Sequence, residues 1–542
     1  MELATTLEYE LTQILGEDGI NTSPLIKDEV QRTTFSTEQK VIGVAYPRSS
    51  LEVSSLLAFC SQSSITVYPI SRGCNWGLGS KVPLTTNSLL CDLSRMTAIE
   101  RYDESLGTIT VRPGTTFRQV SEYLKQAGGK HFLSVTGGAP DSSVLANTLE
   151  RGDGLGPMGD RSRFASSLEI VLGDGRIIRT GFDNFGESSR IGTLTQDSLG
   201  PSFDGLFFQS NFGIVTEMTL WLHPVTEHFA SVLFTLPAGD ALGDTFEGIR
   251  ELMALGVLRG NSLALWNMQK VIASAGNHPK RSTPELSHPL TDEELQRFLP
   301  GFFKGAYWFG SAALYGISKR HLGILIKECR DRLGQRAVKF LPMTRARAQL
   351  FSMFSPLMPR SKKEEMERWL HAFYYNSVYR GNPSELSIRS LYWRKPSGVP
   401  EHVDPNRDSC GLVWLCHAVP CSASEIAEAE ALVREGARVG GFDPNVAFLF
   451  VSERYVRMFV ALMYDRDLVG ADAKVLECQK ILAAQLNSKG YPPFRLGIQS
   501  MEQFKVDDKN YSGLLSKMKN IFDPHNTIAP GRYDGQYGRL CS

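Results

Sequence analysis

The 542 residues suggest three or four domains at roughly 150 residues each, or two where domains are large or discontinuous. Hydrophobic residues at 42% and charged residues at 21% exclude the disordered and fibrous classes. A balance of 58 basic and 58 acidic side chains leaves a formal charge of zero, which argues against a nucleic-acid-binding surface.

No run of about 18 apolar residues is present, so no membrane-spanning helix is expected. The opening Met-Glu-Leu-Ala-Thr-Thr-Leu-Glu has no basic segment ahead of an apolar core, so no secretory signal is expected. Nine dispersed cysteines form no paired framework and favour a reducing, cytoplasmic setting.

From about residue 40 to 225, helices alternate with short strands joined by glycine-rich connections. Ser50 to Ser61 reads as a helix carrying Leu51, Leu56, Leu57 and Cys60. The strand Ile65 to Ile70 follows, then the loop Ser71 to Ser80. Ser88 to Leu93 and Thr108 to Arg112 read as strands. Thr116 with Gln119 three residues on is a capping box, opening a helix with Phe117, Val120, Leu124 and Ala127 inward. Asp141 to Arg151 reads as a helix with Asp141 as N-cap. Leu168 to Ile178 is a hairpin around an Asp-Gly turn, and Gly213 to Leu222 alternates as a strand.

After His223-Pro224 the texture changes. Val232 to Phe234 is strand-like, a helix is expected near 240–256, and a polar, proline-containing insertion runs from about 275 to 300. Further on, Leu412 to Val419 reads as strand, Ser424 to Val439 as helix, Val446 to Val451 and Phe459 to Tyr464 as strands, and Ala471 to Leu486 as helix. That order is a split β-α-β arrangement of ferredoxin-like type. The last 40 residues or so return to a helix and a glycine-containing tail. No short-period repeat is visible.

Walker A, His-Glu-x-x-His and nucleophile-elbow sequences are absent. Cys410, Cys416 and Cys421 match no zinc spacing, and no metal site is expected. Gly154-Leu-Gly-Pro-Met-Gly159 has the dinucleotide-fingerprint spacing, but that motif works only between a strand and a helix. Here a helix precedes and a hairpin follows, which argues against a nicotinamide-binding domain. Ser71 to Ser80 follows a strand and holds three glycines beside Arg72, Asn75 and Ser80. Successive N–H groups there can form a nest for an anion such as pyrophosphate, although a glycine-rich surface turn has the same composition.

Five blocks occur in order: Arg72-Gly-Cys-Asn-Trp-Gly, Val111-Arg-Pro-Gly-Thr, Gly152 to Asp160, Phe208-Gln-Ser-Asn-Phe-Gly-Ile-Val-Thr216, and Asp523-Pro-His-Asn-Thr-Ile-Ala-Pro-Gly-Arg532. Through them the chain resembles the vanillyl-alcohol oxidase/p-cresol methylhydroxylase (PCMH-type) flavoprotein family. The likeness covers about 40–225 and about 410 to the C-terminus, whereas 260–400 matches poorly. It implies an α+β fold with a PCMH-type FAD-binding domain of two α+β subdomains, in residues 1–225 with its core at about 40–225. A ferredoxin-like antiparallel-sheet cap over 226–495 and a return of 496–542 to the FAD domain complete it.

Carried over by motif, Ile70, Ser71, Arg72, Gly73, Cys74, Asn75, Trp76 and Gly77 would hold the pyrophosphate. Gly137, Ser142, Ser143 and Asn147 would lie along the cofactor, with Gly152 and Gly159 in the next loop. Gly213, Ile214 and Val215 would meet the adenine side through backbone groups, and Arg532 would approach the flavin from the tail. Asp160 stands where the family places an acid beside flavin N5, to accept a proton or steer developing charge. Without the family likeness, it reads as a solvated loop aspartate pairing with Arg161 or Arg163. Arg495 aligns with an arginine at the flavin pyrimidine edge; its plainer reading is a surface arginine closing the preceding helix.

The pattern also breaks. The family's two phenolate-clamping tyrosines stand here as Leu78 and Phe494, and a cap histidine pair as Arg457 and Met458. The expected catalytic set is therefore Asp160, Arg495, Phe494 and Arg457. An apolar pocket with one or two arginines fits a hydrophobic or carboxylate-bearing substrate. The histidine that many relatives bond to FAD aligns with Leu412, so non-covalent FAD is expected; Tyr392, His417, Cys74 and His131 remain as alternative attachment residues. The expected activity is hydride transfer from a small organic substrate to flavin N5, with electrons passing to O₂ or a protein acceptor. Substrates range over alcohols, amines and natural-product intermediates undergoing oxidation, desaturation or oxidative cyclisation. The alternatives are a flavin-fold ligand binder without turnover, or a para-phenol oxidase with an altered clamp. Homodimerisation through the cap is a further implication of the resemblance.

Overall fold

The computed structural model describes residues 2–186, 189–237, 242–274, 278–279, 288–334, 337–504 and 509–535. A first sheet comprises β1 (Ile20–Asn21), β2 (Val41–Ala45), β3 (Val67–Ile70) and β4 (Ser88–Asp92), ordered β1-β2-β4-β3. Strands β2, β4 and β3 run parallel, so β2 and β3 need a crossover. The helix Ser50–Gln62 supplies it, burying Val53, Leu56, Leu57 and Cys60, while Leu51 turns to solvent.

A second, antiparallel sheet contains β5 (Ile99–Asp103) and β6 (Thr108–Val111). Between its strands lies β7 (His131–Phe132); then come β8 (Ala165–Leu172), β9 (Ile177–Arg179) and β10 (Gly213–Trp221). The order is β5-β6-β10-β8-β9, and β11 (His223–Pro224) pairs with β7. The β8–β9 hairpin turns at Gly175, whose φ of +87° suits the Asp-Gly turn.

The helix Phe117–Gln126 packs Phe117, Val120 and Leu124 onto this sheet. Its capping box forms in full: Gln119 N–H donates to Thr116 Oγ1 (3.2 Å), and Thr116 N–H donates to Gln119 Oε1 (2.9 Å). Thr116→Ala is expected to cost about 1 kcal/mol, lowering the melting temperature by roughly 2–4 °C with unchanged circular dichroism. The next helix begins later than Asp141 suggests. It spans Val144–Leu149 with Ser143 as N-cap, because Asp141 is taken by Arg118 through two bonds of 2.8 and 2.9 Å.

The third sheet has eight antiparallel strands: β12 (His228–Leu236), β13 (Leu263–Asn267), β14 (Trp308–Gly316), β15 (Lys339–Thr344), β16 (Cys410–Pro420), β17 (Asn445–Phe450), β18 (Tyr455–Asp465) and β19 (Pro493–Arg495). Its order, β15-β12-β14-β13-β17-β18-β16-β19, resolves into two βαββαβ units of ferredoxin-like topology. The second unit is the one legible in the sequence. The first uses the helices Leu242–Ala254 and Lys319–Cys329, and the units join where β13 pairs with β17. Much of the polar insertion, residues 275–277 and 280–287, lies outside the described residues; beyond it Asp292–Phe298 is a helix capped by Thr291 and Glu294.

Alternation gives this sheet two unlike faces. Val413, Leu415, Val456, Val460, Val446 and Phe448 pack under the helices Ala423–Val439 and Ala471–Ser488. On the other face lie Leu412, Trp414, Cys416, Arg457, Phe459 and Met463, in register Leu412↔Met463 and Cys416↔Phe459. The C-terminal helix Lys509–Phe522 leads back to β3, where Ile528 bridges Val67 in parallel. Fully buried Lys519 fastens this return, donating to Asn211 O, Asp523 Oδ2 and Ile528 O at 2.7–2.8 Å.

Candidate active site

The loop after β3 lies against the cap sheet. Gly73, Gly77 and Gly79 have φ of +68°, +77° and +123°. At Gly77 a Cβ would stand 2.8 Å from Leu412 Cγ and against Trp414, while Trp414 N–H donates to Gly77 O (3.2 Å). Only glycine allows so close an approach. Leu78 and Ser80 N–H both donate to Asn75 O, and Gly77 N–H donates to Thr34 Oγ1 (2.8 Å). Among the described residues, the N–H groups of Arg72 to Trp76 find no acceptor within the protein. They form a nest open to an anion.

The loop Gly152 to Asp160 follows the helix Val144–Leu149 and precedes β8, the inverse of the strand-to-helix context that a dinucleotide fingerprint requires. Its centre is Arg161, which is fully buried. Nη1 donates to Ser134 O (2.8 Å) and Nη2 to Gly152 O (2.6 Å) and Asn147 Oδ1, while the guanidinium lies over Phe117. Desolvation lowers its pKa to about 10. Asn147 is thereby engaged with Arg161, and Ser142 and Ser143 hydroxyls donate to Ala139 O and Pro113 O. Gly137 by contrast faces open space, with Ser387 Oγ 4.0 Å from where its Cβ would be.

Asp160 is buried rather than solvated, although it does accept from Arg163 (3.0 Å), one of the two arginines that the plainer reading offers; Arg161 is committed elsewhere. The further partner is Arg457 of β18, 3.5 Å away. Arg457 also donates to Asp153 Oδ1 (2.6 Å), a carboxylate that Asn261 Nδ2 reaches at 2.9 Å. Burial pushes the Asp153 carboxyl above its ordinary range, while Arg457 pulls it back. Asp153, Arg161 and Asn261 carry the loop's structure; sequence reading offered Arg161 only as a partner for Asp160 and gave Asp153 and Asn261 no role.

Arg495 is not a surface helix cap. On β19 it pairs beside Cys416, and its Nη2 donates to Asn75 Oδ1 of the glycine loop (2.9 Å). Glu150 stands 3.9 Å from Arg495 Nε but is held at 2.6 Å by Arg532, which also donates to Tyr68 Oη (3.2 Å). Four buried or half-buried guanidiniums, Arg161, Arg457, Arg495 and Arg532, thus lie among three carboxylates, Glu150, Asp153 and Asp160. Ser134 Oγ, Arg161 Nε, Arg457 Nε and Arg495 Nε are buried without a protein partner.

Leu78 and Phe494 bring no hydroxyl to this site. Phe494 lies under the Arg457 guanidinium (4.9 Å) and edge-on to Phe459 (5.4 Å). His417 faces the helix side of the sheet with Nδ1 2.8 Å from Tyr491 O, and burial holds its imidazole down at about 4. Tyr392 donates to Asp408 Oδ2 (2.6 Å), His131 pairs with Tyr102 Oη (3.2 Å), and burial pushes the Cys74 thiol up to about 11. Gly213 admits the close β10–β8 pairing, its Cβ position lying 2.5 Å from Ile170 Cγ2; Ile214 and Val215 continue that ladder.

An N–H nest, a cation excess and unpartnered buried polar atoms beneath an aromatic sheet face fit a dinucleotide with a polar ring system. They fit FAD, and residues 41–181 match the family described as FAD binding domain. The site and fold are those of a flavin-dependent oxidoreductase. The chain is 33% identical over 522 residues to the 1'-carboxy-chondrochloren decarboxylase of Chondromyces crocatus, covering 96% of each chain. It is 23% identical over 489 residues to the 4-cresol dehydrogenase (hydroxylating) flavoprotein subunit of Pseudomonas putida, covering 89% of this chain and 85% of that one. The solved 4-ethylphenol oxidase of Gulosibacter chungangensis in its isoeugenol complex shares the fold with a TM-score of 0.86 at 22% identity, covering 98% and 97%. For p-cresol methylhydroxylase with substrate bound, the TM-score is 0.85 at 20% identity, with the same coverage. The chain belongs to the PCMH-type, vanillyl-alcohol oxidase family of FAD-linked oxidases and dehydrogenases. Among the described residues no helix is long and apolar enough to cross a membrane.

Proposed function

We propose that this oxidoreductase acts on an apolar, carboxylate-bearing natural-product intermediate, taking a hydride from it with loss of CO₂. The carrying observation is the aromatic face of Trp414, Phe459 and Phe494 with positive charge in excess around it. An apolar body with one anionic group complements that surface. The relative named as a decarboxylase of a carboxylated compound supports the same reading. A para-phenol oxidase is less well supported, because Leu78 and Phe494 offer a phenolate no hydrogen bond.

In the proposed step the hydride leaves the carbon next to the one bearing the carboxylate. The electron pair of the breaking C–CO₂ bond forms the new C=C bond, so R–CH₂–CHX–COO⁻ gives R–CH=CHX, CO₂ and hydride. FAD, when bound, supplies the hydride acceptor at N5. Arg72 to Trp76 hold its pyrophosphate through backbone N–H groups, and the Gly137, Ser142, Gly152 and Gly159 stretches line it. Gly213 to Val215 meet the adenine side, and Arg532 fixes Glu150 beside Arg495. Arg495 stabilises negative charge that develops during transfer, and the Asp160–Arg457 pair sets a carboxylate beside a guanidinium near the reacting centre. Electrons leave to O₂ or a protein acceptor. Residues 1–225 and 496–542 form the FAD unit and 226–495 the cap, in a cytoplasmic protein that pairs through that cap.

FAD is held without a covalent bond, since Leu412 offers no nucleophile and His417 points away. Acid precipitation is expected to release all flavin into the supernatant; a yellow pellet would show a bond, which peptide mapping would place at Tyr392, Cys74, His131 or His417. The activity itself is tested with 3-arylpropanoates and an artificial electron acceptor. Equal amounts of CO₂ and reduced acceptor are expected. Acceptor reduction without CO₂ would remove decarboxylation from the account.

A further inference from the structure

We propose that Lys270 is the cation that recognises the substrate's carboxylate. This rests on the carboxylate reading above and names the residue behind it. Lys270 lies on the short helix Met268–Ala273, directly after β13, whose N-cap Asn267 accepts from Lys270 N–H (3.0 Å). Met268, Ile272 and Ala273 are buried in the core on the loop-facing side of the sheet, while Lys270 is half-buried.

Its Nζ stands 5.4 Å from the centre of the Trp414 ring. Trp414 is the residue pressed against Gly77, and it meets Phe459 edge-on at 6.5 Å. Phe459 in turn meets Phe494, beneath Arg457. An aromatic wall therefore runs along the flavin loop with a cation at each end. The two cations differ in kind. Arg457 is engaged by Asp153 and Asp160, whereas Lys270 Nζ has no hydrogen bond or ion pair among the described residues.

The elements packed on this helix explain the isolation. Strands β13 and β17 carry no titratable side chain, and Tyr315 of β14 donates to Tyr379 O. On the neighbouring helix Asp292 pairs with Arg438, Glu294 caps Thr291, and Glu293 is exposed. Desolvation without a counter-charge lowers the ammonium to about 8. The Trp414 face compensates part of that loss, and a carboxylate would compensate far more. A single ammonium is a point charge and not a planar fork, so it attracts a carboxylate without clamping both oxygens. That suits a group that must leave as CO₂.

The test is binding of 4-propylbenzoate and of uncharged 4-propylanisole to the holoenzyme, read from perturbation of the flavin spectrum at about pH 7 and about pH 9. The wild type should prefer the acid and lose that preference at the higher pH, as Lys270 deprotonates. Lys270→Met should weaken the acid roughly 10- to 100-fold, leave the anisole unchanged, and abolish the pH dependence. Lys270→Arg should keep the preference at both pH values. Equal losses for both probes would mark Lys270 as a packing residue and overturn the proposal. An acid preference unchanged in Lys270→Met would assign the carboxylate to another cation. No preference in the wild type would instead overturn the carboxylate reading of the function.

Discussion

Arg457→Met is expected to destabilise the protein by about 3–5 kcal/mol and to abolish turnover, because it strands a buried carboxylate. Asp153 and Asp160 share this guanidinium, and among the described residues no other cation forms an ion pair with Asp153. The pH dependence has a definite sign. Burial raises the Asp153 carboxyl above its ordinary 3.8, so the folded state binds that proton more tightly than the unfolded chain. Its contribution is then favourable in acid, and declines as pH rises from 3.8 to the raised folded value. Removing Arg457 raises the folded value further and widens that window. Urea unfolding should therefore show a smaller deficit at about pH 5 than at about pH 8. Asp153→Asn added to Arg457→Met should recover much of the loss at the higher pH. A deficit that ignores pH, with no recovery in the double variant, would mean that Asp153 is not the group left behind.

Gly77→Ala is expected to lower FAD occupancy more than tenfold while the far-ultraviolet spectrum stays native. The substitution places a methyl group against Trp414 and 2.8 Å from Leu412 Cγ, at a φ of +77°. The backbone strain alone is about 1–2 kcal/mol. Relief of the contact must come from the glycine loop, since Leu412 and Trp414 are fixed in a long strand pairing with β18. Moving the loop spoils the nest of Arg72 to Trp76. Gly129→Ala is the control: its φ is +65° but nothing lies within 4 Å of the added carbon. It should cost the backbone strain and retain flavin. Flavin content measured after desalting separates the two variants.

Local chemistry made much of this architecture legible. Thr116 and Gln119, the Asp174-Gly175 turn and the alternation in β10 and β16 each carry their signal within a few residues. The first βαββαβ unit was hidden because its strands are separated by long insertions. Moreover β14 is buried along its whole length and shows no alternation. Its likeness to the second unit exists in topology and not in a sequence repeat.

The site divides in the same way. The glycine loop, Asp160 and Arg495 stand out as residue types at recognisable places in the order of blocks. Asp153 and Arg457 are 304 positions apart, so nothing local announces their pairing. Arg161 looks like the natural partner of Asp160, yet buried carbonyls at Ser134 and Gly152 capture it first. Lys270 lies in the stretch where no family motif is legible, and nothing local marks it; the Trp414 ring beneath it shows only in the fold.

The most direct test of the central claim is anaerobic mixing of the purified holoenzyme with a 3-arylpropanoate and, separately, with its methyl ester. The account predicts that the acid bleaches the long-wavelength flavin band and that the ester, lacking the charge, leaves it unchanged. Bleaching by the ester as fast as by the acid would contradict a carboxylate-directed oxidation.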